Sequence, residues 1–322
     1  MIQKRRSIVW LGLCASIGLF IVNTMGFIDT YTGSILGCGQ HWPLCNGEVV
    51  PGKWNAATII EYVHRLISFT AIMLLFVFTA LAGWRHYASR KVRALISFSI
   101  IAVIMEAGLG AISVLFSSPP WVLAFHMGIA FTSFSACIML TLAVKRIENK
   151  KRRQMLNLPV AAYSVKSFFV KSCLTFLTVF LAIYYGAFVT HSGYGASFFG
   201  WPFPQETGTG WGFWIDAVHR LVALLLLILD IYLVKHAYQL RKIKRDLFIG
   251  SLFTLGFTVL QMFSGAYMIL SHMSLLSFMI HVSFASFLFA SAAFVMLQAY
   301  SVFYVTKKDK PIKPFQMKVT RL

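Results

Sequence analysis

Long apolar runs alternate with short polar segments along the whole chain. A bilayer-spanning helix needs about 20 mostly apolar residues. Eight runs meet this requirement, at about 8–28, 56–84, 93–116, 121–144, 165–189, 211–235, 246–270 and 275–305. Runs this long are too long for strands, and lipid admits only helices or closed barrels. The pattern predicts an all-α integral membrane protein with eight transmembrane helices.

Composition and charge placement support this interpretation. Of the 322 residues, 58% are hydrophobic and 12% charged, about half the charged share of a soluble domain. The net charge of +19 could indicate nucleic acid, but the Lys and Arg residues lie between the apolar runs. They cluster at both termini and in every second loop, while the opposite loops hold only Lys53. We therefore expect no nucleic-acid partner, and both termini in the cytoplasm.

The two halves of the chain match at a fixed offset. Glu61-Tyr-Val-His64-Arg65 returns as Asp216-Ala-Val-His219-Arg220, and His126 returns as His281, each 155 residues later. Four helices per half is an even number, so both halves share one orientation, as in other parallel repeats. The sequence predicts two tandem-repeat four-helix bundles, at 1–150 and 151–322, the second ending in a short basic tail.

Four repeat-related histidines fall within the predicted helices. At 1.5 Å per residue, His64 lies about 12 Å and His126 about 7 Å below the outer helix ends. Each could simply bond to a neighbouring helix, but intramembrane polar groups usually mark function. Two facing histidines fit the axial positions of a haem. A di-iron site would need a second carboxylate-x-x-His motif, which Leu123 and Phe278 rule out, and zinc would need three or four ligands.

Other candidate functional residues lie close to these histidines. Arg65 and Arg220 could contact haem propionates or snorkel to lipid headgroups. Glu61 is a candidate acid or base, or a helix-entry carboxylate favoured by the helix dipole. Cys38 and Cys45 lie in the first outer loop, on the side where disulfides persist. Such a bond would either staple the loop or take part in redox chemistry.

The eight helices, the duplicated His-Arg pattern and Cys38-Gly-x-x-Trp-Pro-Leu-Cys45 resemble bacterial haem A synthase, of the type with a cysteine pair in this loop. The resemblance covers roughly residues 8–300. It implies an oxidoreductase of the cell membrane that oxidises the C8 methyl of haem O to the formyl group of haem A for terminal oxidase assembly. Haem O synthase would be a partner, besides membrane lipid, and a homo-oligomer is open.

The resemblance also implies roles for individual residues. The first half would hold the substrate haem at His64 and His126, near Arg65. The second half would hold haem b as cofactor, with His219 and His281 as axial ligands and Arg220 as a propionate contact. Glu61, Cys38 and Cys45 would form the catalytic group, the two cysteines as a disulfide.

Two positions depart from the family pattern. Tyr31 stands where a Lys or Arg is usual, and Glu106 stands where many members carry Gln. Two other functions therefore stay open. One is an electron carrier with two bis-His haem b groups, and the other is a non-enzymatic haem transport or insertion factor.

Overall fold

The computed structural model describes residues 2–116, 119–148, 162–194, 200–203 and 210–308. Within these ranges the chain forms eight α-helices, and each is long and apolar enough to cross a membrane. They are α1 (Ile2–Tyr31), α2 (Ala56–His86), α3 (Arg90–Leu115), α4 (Pro120–Glu148), α5 (Ala162–His191), α6 (Trp211–Gln239), α7 (Arg245–Leu270) and α8 (Leu275–Lys308). The predicted all-α membrane fold with eight spanning helices is confirmed.

Some features of the predicted architecture stay predictions. The boundary between residues 150 and 151 lies outside the described residues, as does the basic tail beyond residue 308. The assignment of the termini to the cytoplasm and the division into two repeated bundles also stay predictions. We refer below to α1–α4 as the first half and to α5–α8 as the second half.

Two helix starts are fixed by side-chain caps. The Asn55 side chain accepts a hydrogen bond from the Thr58 amide at 2.8 Å, and α2 begins at the next residue. Ser89 caps α3 in the same way through the Val92 amide at 3.3 Å. Such caps satisfy amides that the first helical turn leaves without partners. The cap at Asn55 therefore sets where the functional positions of α2 lie relative to the preceding loop.

Helices α4 and α8 lie at the centre of the molecule. The α4 helix packs against α1, α3, α5 and α8, and α8 packs against α1, α4, α5 and α7. A layer of buried aromatic side chains joins the two halves, made of Phe27, Phe131, Phe278 and Phe289. Because α4 and α8 also carry His126 and His281, one histidine of each pair lies on a central helix.

The bundle has two chemically different ends. At one end, called here the disulfide side, residues 32–55 lie near the α7–α8 corner, and the Tyr31 hydroxyl donates to the Met273 carbonyl at 2.9 Å. At the other end, called the basic side, Arg85 pairs with Glu148 at 2.8 Å and Arg146 with Asp246 at 3.3 Å. The candidate functional residues lie toward the disulfide side.

Candidate functional site

A cavity of about 450 Å³ lies among the four helices of the first half. This volume is within the usual range for small-molecule and cofactor sites. Most of its lining is apolar, which suits a flat hydrophobic ligand. Its polar lining includes Asn23, Asp29, Glu61, His64, Arg65, Glu106 and His126. The sequence analysis predicted a site that includes Glu61, His64, Arg65 and His126. The structure places all four around one cavity.

Each of the four histidines lies against a glycine of the preceding helix. A methyl group added at Gly26 would lie 3.2 Å from Cε1 of His64, and one at Gly186 would lie 2.9 Å from Cε1 of His219. The same arrangement joins Gly110 to His126 and Gly265 to His281, at 3.3 Å in both cases. The glycines thus make room for the imidazole rings beside the helix backbone. The sequence analysis assigned this role to none of the four glycines.

Three of these imidazole rings have a nitrogen without a protein partner. Nδ1 of His64, of His126 and of His219 is buried and makes no hydrogen bond in the structure. Within each half, the two histidines are close enough for charges on them to repel. Because Nδ1 is enclosed by the protein in each of these rings, the nitrogen that remains to bind a ligand is Nε2. Paired imidazoles with free nitrogens fit the axial positions of a haem iron.

His281 is held differently from the other three. Its Nε2 lies 2.9 Å from the Gln261 side-chain nitrogen, and its Nδ1 lies 3.0 Å from the Ser264 hydroxyl. Hydrogen bonds to the second nitrogen commonly fix the ring of a metal-bound histidine. Ser264 at Nδ1 is therefore suited to orient this ring, whereas the contact of Gln261 with Nε2 would have to open for that nitrogen to bind a metal. Gln261 follows Glu106 by the same 155 residues that separate the paired histidines, but this offset gave no sign of the contact.

Glu61 joins helix α2 to the disulfide loop. One carboxylate oxygen accepts from the Cys38 amide at 2.5 Å, and the other accepts from the Arg65 guanidinium. Arg65 in turn donates to the backbone carbonyls of His41 and Leu44, the latter at 2.7 Å. Glu61 is only 2% exposed. The carboxylate is therefore held rigidly, between its own helix and the loop that borders the cavity.

The second half repeats this connection. The Asp216 carboxylate accepts from Arg220 at 2.8 Å, and Arg220 donates to the carbonyls of Gly200 and Pro202. In both halves the arginine contacts loop backbone next to a Trp-Pro sequence. Sequence reasoning missed this role, and the propionate contacts of Arg65 and Arg220 stay predictions.

The first outer loop is cross-linked as expected. Cys38 and Cys45 form a disulfide, so the predicted bond is confirmed. The loop packs closely on the start of α2, because a side chain at Gly37 would meet the Ala57 backbone at 2.3 Å. Whether the bond also takes part in catalysis stays a prediction.

Three further polar residues of the first half have unpartnered buried atoms. Both side-chain heteroatoms of Asn23, Oδ1 of Asp29 and Oε2 of Glu106 are buried without hydrogen-bond partners. All three residues line the cavity. Tyr31, the other departure from the family pattern, instead contacts the α7–α8 corner through Met273. The cavity therefore offers more polar groups to a ligand than the histidines alone.

Comparison with known proteins identifies the family of the chain. A family model described as cytochrome oxidase assembly protein (COX15-CtaA) matches residues 8–211. A protein of Staphylococcus aureus strain MSSA476 named heme A synthase is 28% identical over 308 residues, which cover 92% of this chain and 97% of that protein. A Staphylococcus epidermidis protein of the same name is 28% identical, covering 91% and 96%. The chain belongs to the COX15-CtaA family of cytochrome oxidase assembly proteins.

Proposed function

We propose that this protein is a haem A synthase, which oxidises the C8 methyl group of haem O to the formyl group of haem A. The observation that carries the proposal is the cavity of the first half, where two facing histidines lie beside a carboxylate tied to the disulfide loop. Relatives named heme A synthase that match nearly the whole chain add support.

Haem O, the substrate, binds in this cavity. His64 and His126 would ligate its iron through Nε2, because Nδ1 of both rings is enclosed by the protein. Gly26 and Gly110 leave the space in which the two rings can turn toward the ligand. The apolar walls accept the macrocycle, while Asn23 and Asp29 offer hydrogen bonds to polar substituents.

The second half holds haem b as the resident cofactor. His219 and His281 would hold its iron, with Ser264 orienting the His281 ring at Nδ1 and Gln261 giving up its contact with Nε2. When bound, haem b supplies one-electron redox chemistry through its iron. Arg220 fixes the loop at residues 200–203 above this site and is the residue closest in sequence to His219 that could contact a propionate.

Glu61 is the proposed proton acceptor. Oxidation of a methyl through an alcohol to a formyl group is a four-electron change. With water as the source of oxygen it reads R–CH3 + H2O → R–CHO + 4 H⁺ + 4 e⁻, so two protons and two electrons leave at each stage and the electrons pass to an external acceptor. A carboxylate held within hydrogen-bonding reach of the reacting group contributes about 10²–10⁴-fold as an acid or base. Arg65 and the Cys38 amide hold Glu61 in one orientation. The disulfide between Cys38 and Cys45 keeps that amide in place.

The proposal also includes the location of the protein and its orientation in the membrane. The protein would lie in the plasma membrane with both termini in the cytoplasm, because the basic segments lie on that side. The disulfide side would then face the oxidising exterior. Haem O synthase would supply the substrate, and a homo-oligomer is compatible with these assignments.

The test is a haem extraction from membranes that contain this chain and haem O. Extracted haems are separated by chromatography and identified by mass, beside membranes that lack the chain. We expect haem A, or its alcohol intermediate, only where the chain is present. Two bound haem b groups with haem O bound but unchanged would favour the electron carrier. Exchange of haem between membranes without any redox change would favour the transport factor.

A further inference from the structure

Three cations from both halves meet at the basic side, far from the candidate site. They are Lys91 at the start of α3, Arg146 near the end of α4, and Lys244 directly before α7. We call these three residues the basic cluster. Lys91 and Arg146 line one small cleft, together with Phe294 and Gln298 of α8. The cluster therefore lies where α3 and α4 meet α7 and α8.

Gln298 of α8 accepts hydrogen bonds from two of the three cations. Its side-chain oxygen accepts from Arg146 at 2.7 Å, and its backbone carbonyl accepts from Lys244 at 3.5 Å. Lys244 also donates to the Ser301 hydroxyl at 2.7 Å. The Arg146 guanidinium lies over the Phe294 ring, 5.2 Å from its centroid. These contacts hold the cations close together in fixed positions.

The described part of the chain neutralises this positive charge only in part. Its carboxylate partner is Asp246, 3.3 Å from Arg146. Burial together with the positive charges of Arg146 and Lys91 lowers the pKa of the Lys244 ammonium to about 8, although Asp246 acts in the opposite direction. Three cations held together with one counter-charge favour binding of an anion. Glu148 is engaged elsewhere, by Arg85 and His86.

The walls of the cleft indicate the class of anion. Below the cations it is lined by the apolar residues Leu95, Met139, Leu142, Ala143 and Leu297. Leu95 and Leu142 lie one helical turn from Lys91 and Arg146, toward the membrane interior. The cleft has a volume of only about 10 Å³, enough for about one water, so a lipid phosphate would lie at its charged rim with the first acyl carbons along the apolar wall. Basic pockets between helices at this depth are typical sites for anionic lipid headgroups.

We propose that the basic cluster binds the phosphate group of an anionic phospholipid at the junction of the two halves. The lipid would bridge α3 and α4 to α7 and α8, and its negative charge would relieve the repulsion among Lys91, Arg146 and Lys244. This site is separate from the haem cavity, and the proposal does not depend on haem chemistry.

The experiment is native mass spectrometry of the purified full-length protein, titrated with phosphatidylglycerol or with phosphatidylcholine. Each cation near a lipid phosphate contributes roughly 5-fold in affinity. We expect phosphatidylglycerol to bind in preference to phosphatidylcholine, and the double variant Arg146→Gln/Lys244→Gln to lose roughly 25-fold. The matched control Arg241→Gln/Lys242→Gln removes the same charge from the neighbouring loop and should bind like the wild type.

Other results would overturn the proposal. Equal binding of both lipids, or equal losses in the double variant and its control, would mean that no defined site exists. Binding of inorganic phosphate without preference for phosphatidylglycerol would mean a site for free phosphate. If the double variant does not fold, Lys91→Gln gives the test, because Lys91 is exposed and its expected loss is roughly 5-fold.

Discussion

The two halves share one construction but differ in how tightly their histidines are held. In each half, the helix that carries the first histidine also carries an acidic residue and an arginine. These two side chains pair with each other and connect the helix to the loop before it. In the second half, Gln261 and Ser264 occupy both ring nitrogens of His281. In the first half, Nδ1 of His126 has no side-chain partner, while a buried side-chain oxygen lacks a partner both in Glu106 and in the matching Gln261.

We interpret this difference as one between a resident-cofactor site in the second half and a substrate site in the first. A histidine whose ring is already oriented binds its metal with little reorganisation, because outer hydrogen bonds fix the ring. The comparison thus supports haem b in the second half and haem O in the first, and four experiments can break or sharpen it.

The largest effect is expected from the two matched carboxylates. Glu61→Gln should lower the rate of haem O oxidation by about 10²–10⁴-fold, since the proton acceptor is lost. Asp216→Asn should change that rate by less than about 10-fold, because this carboxylate holds a loop of the second half. Product haems are measured by chromatography, with haem b absorbance as a control. Equal losses in both variants would show that Glu61 only holds its loop.

The glycines beside the histidines should give the next largest effect. Gly186→Val would force the His219 ring to turn, and we expect about a 100-fold loss in haem b affinity. Gly26→Val should leave haem b in place and instead reduce haem O oxidation. Gly256→Val is the control, because a side chain there meets no atom within 4 Å. Retention of haem b in the Gly186 variant would contradict its assignment to the second half.

The disulfide distinguishes the halves by stability. Cys38 and Cys45 close a short loop, and removing such a bond costs about 2–3 kcal/mol. The double variant Cys38→Ser/Cys45→Ser should lower the thermal midpoint and slow haem O oxidation while haem b binding persists. Cys14→Ser, at an exposed free cysteine, serves as control. Loss of haem b in the double variant would show that the loop supports the whole molecule.

The smallest effect concerns the positions Glu106 and Gln261. Gln261→Glu would place a negative charge beside His281, and we expect a lower midpoint potential of haem b, because that charge stabilises the ferric iron. Glu106→Gln should leave this potential unchanged and alter haem O oxidation by about 10-fold or less. A spectroelectrochemical titration measures the potential. An unchanged potential in the Gln261 variant would remove this residue from the haem b site.

Sequence patterns predicted the helices and the four histidines well, but not the contacts between them. The helices follow from run length, and the histidines from a constant offset, both of which are properties of the chain alone. Gly26 and Gly186 could not be assigned in advance, because run length does not reveal which face of α1 or α5 meets its neighbour. The arginine contacts were missed for a related reason, since their acceptors are backbone carbonyls, which carry no sequence signature.

The contact between Tyr31 and Met273 helps to determine how the two halves would assemble if they were made as separate polypeptides. It joins the halves at the disulfide side, while Arg146 and Gln298 join them at the basic side. Because these two contacts lie at opposite ends of the bundle, they restrict both sliding and rotation of one half against the other. A gene split between α4 and α5 should therefore yield two polypeptides that reassemble in a single register when they are co-expressed.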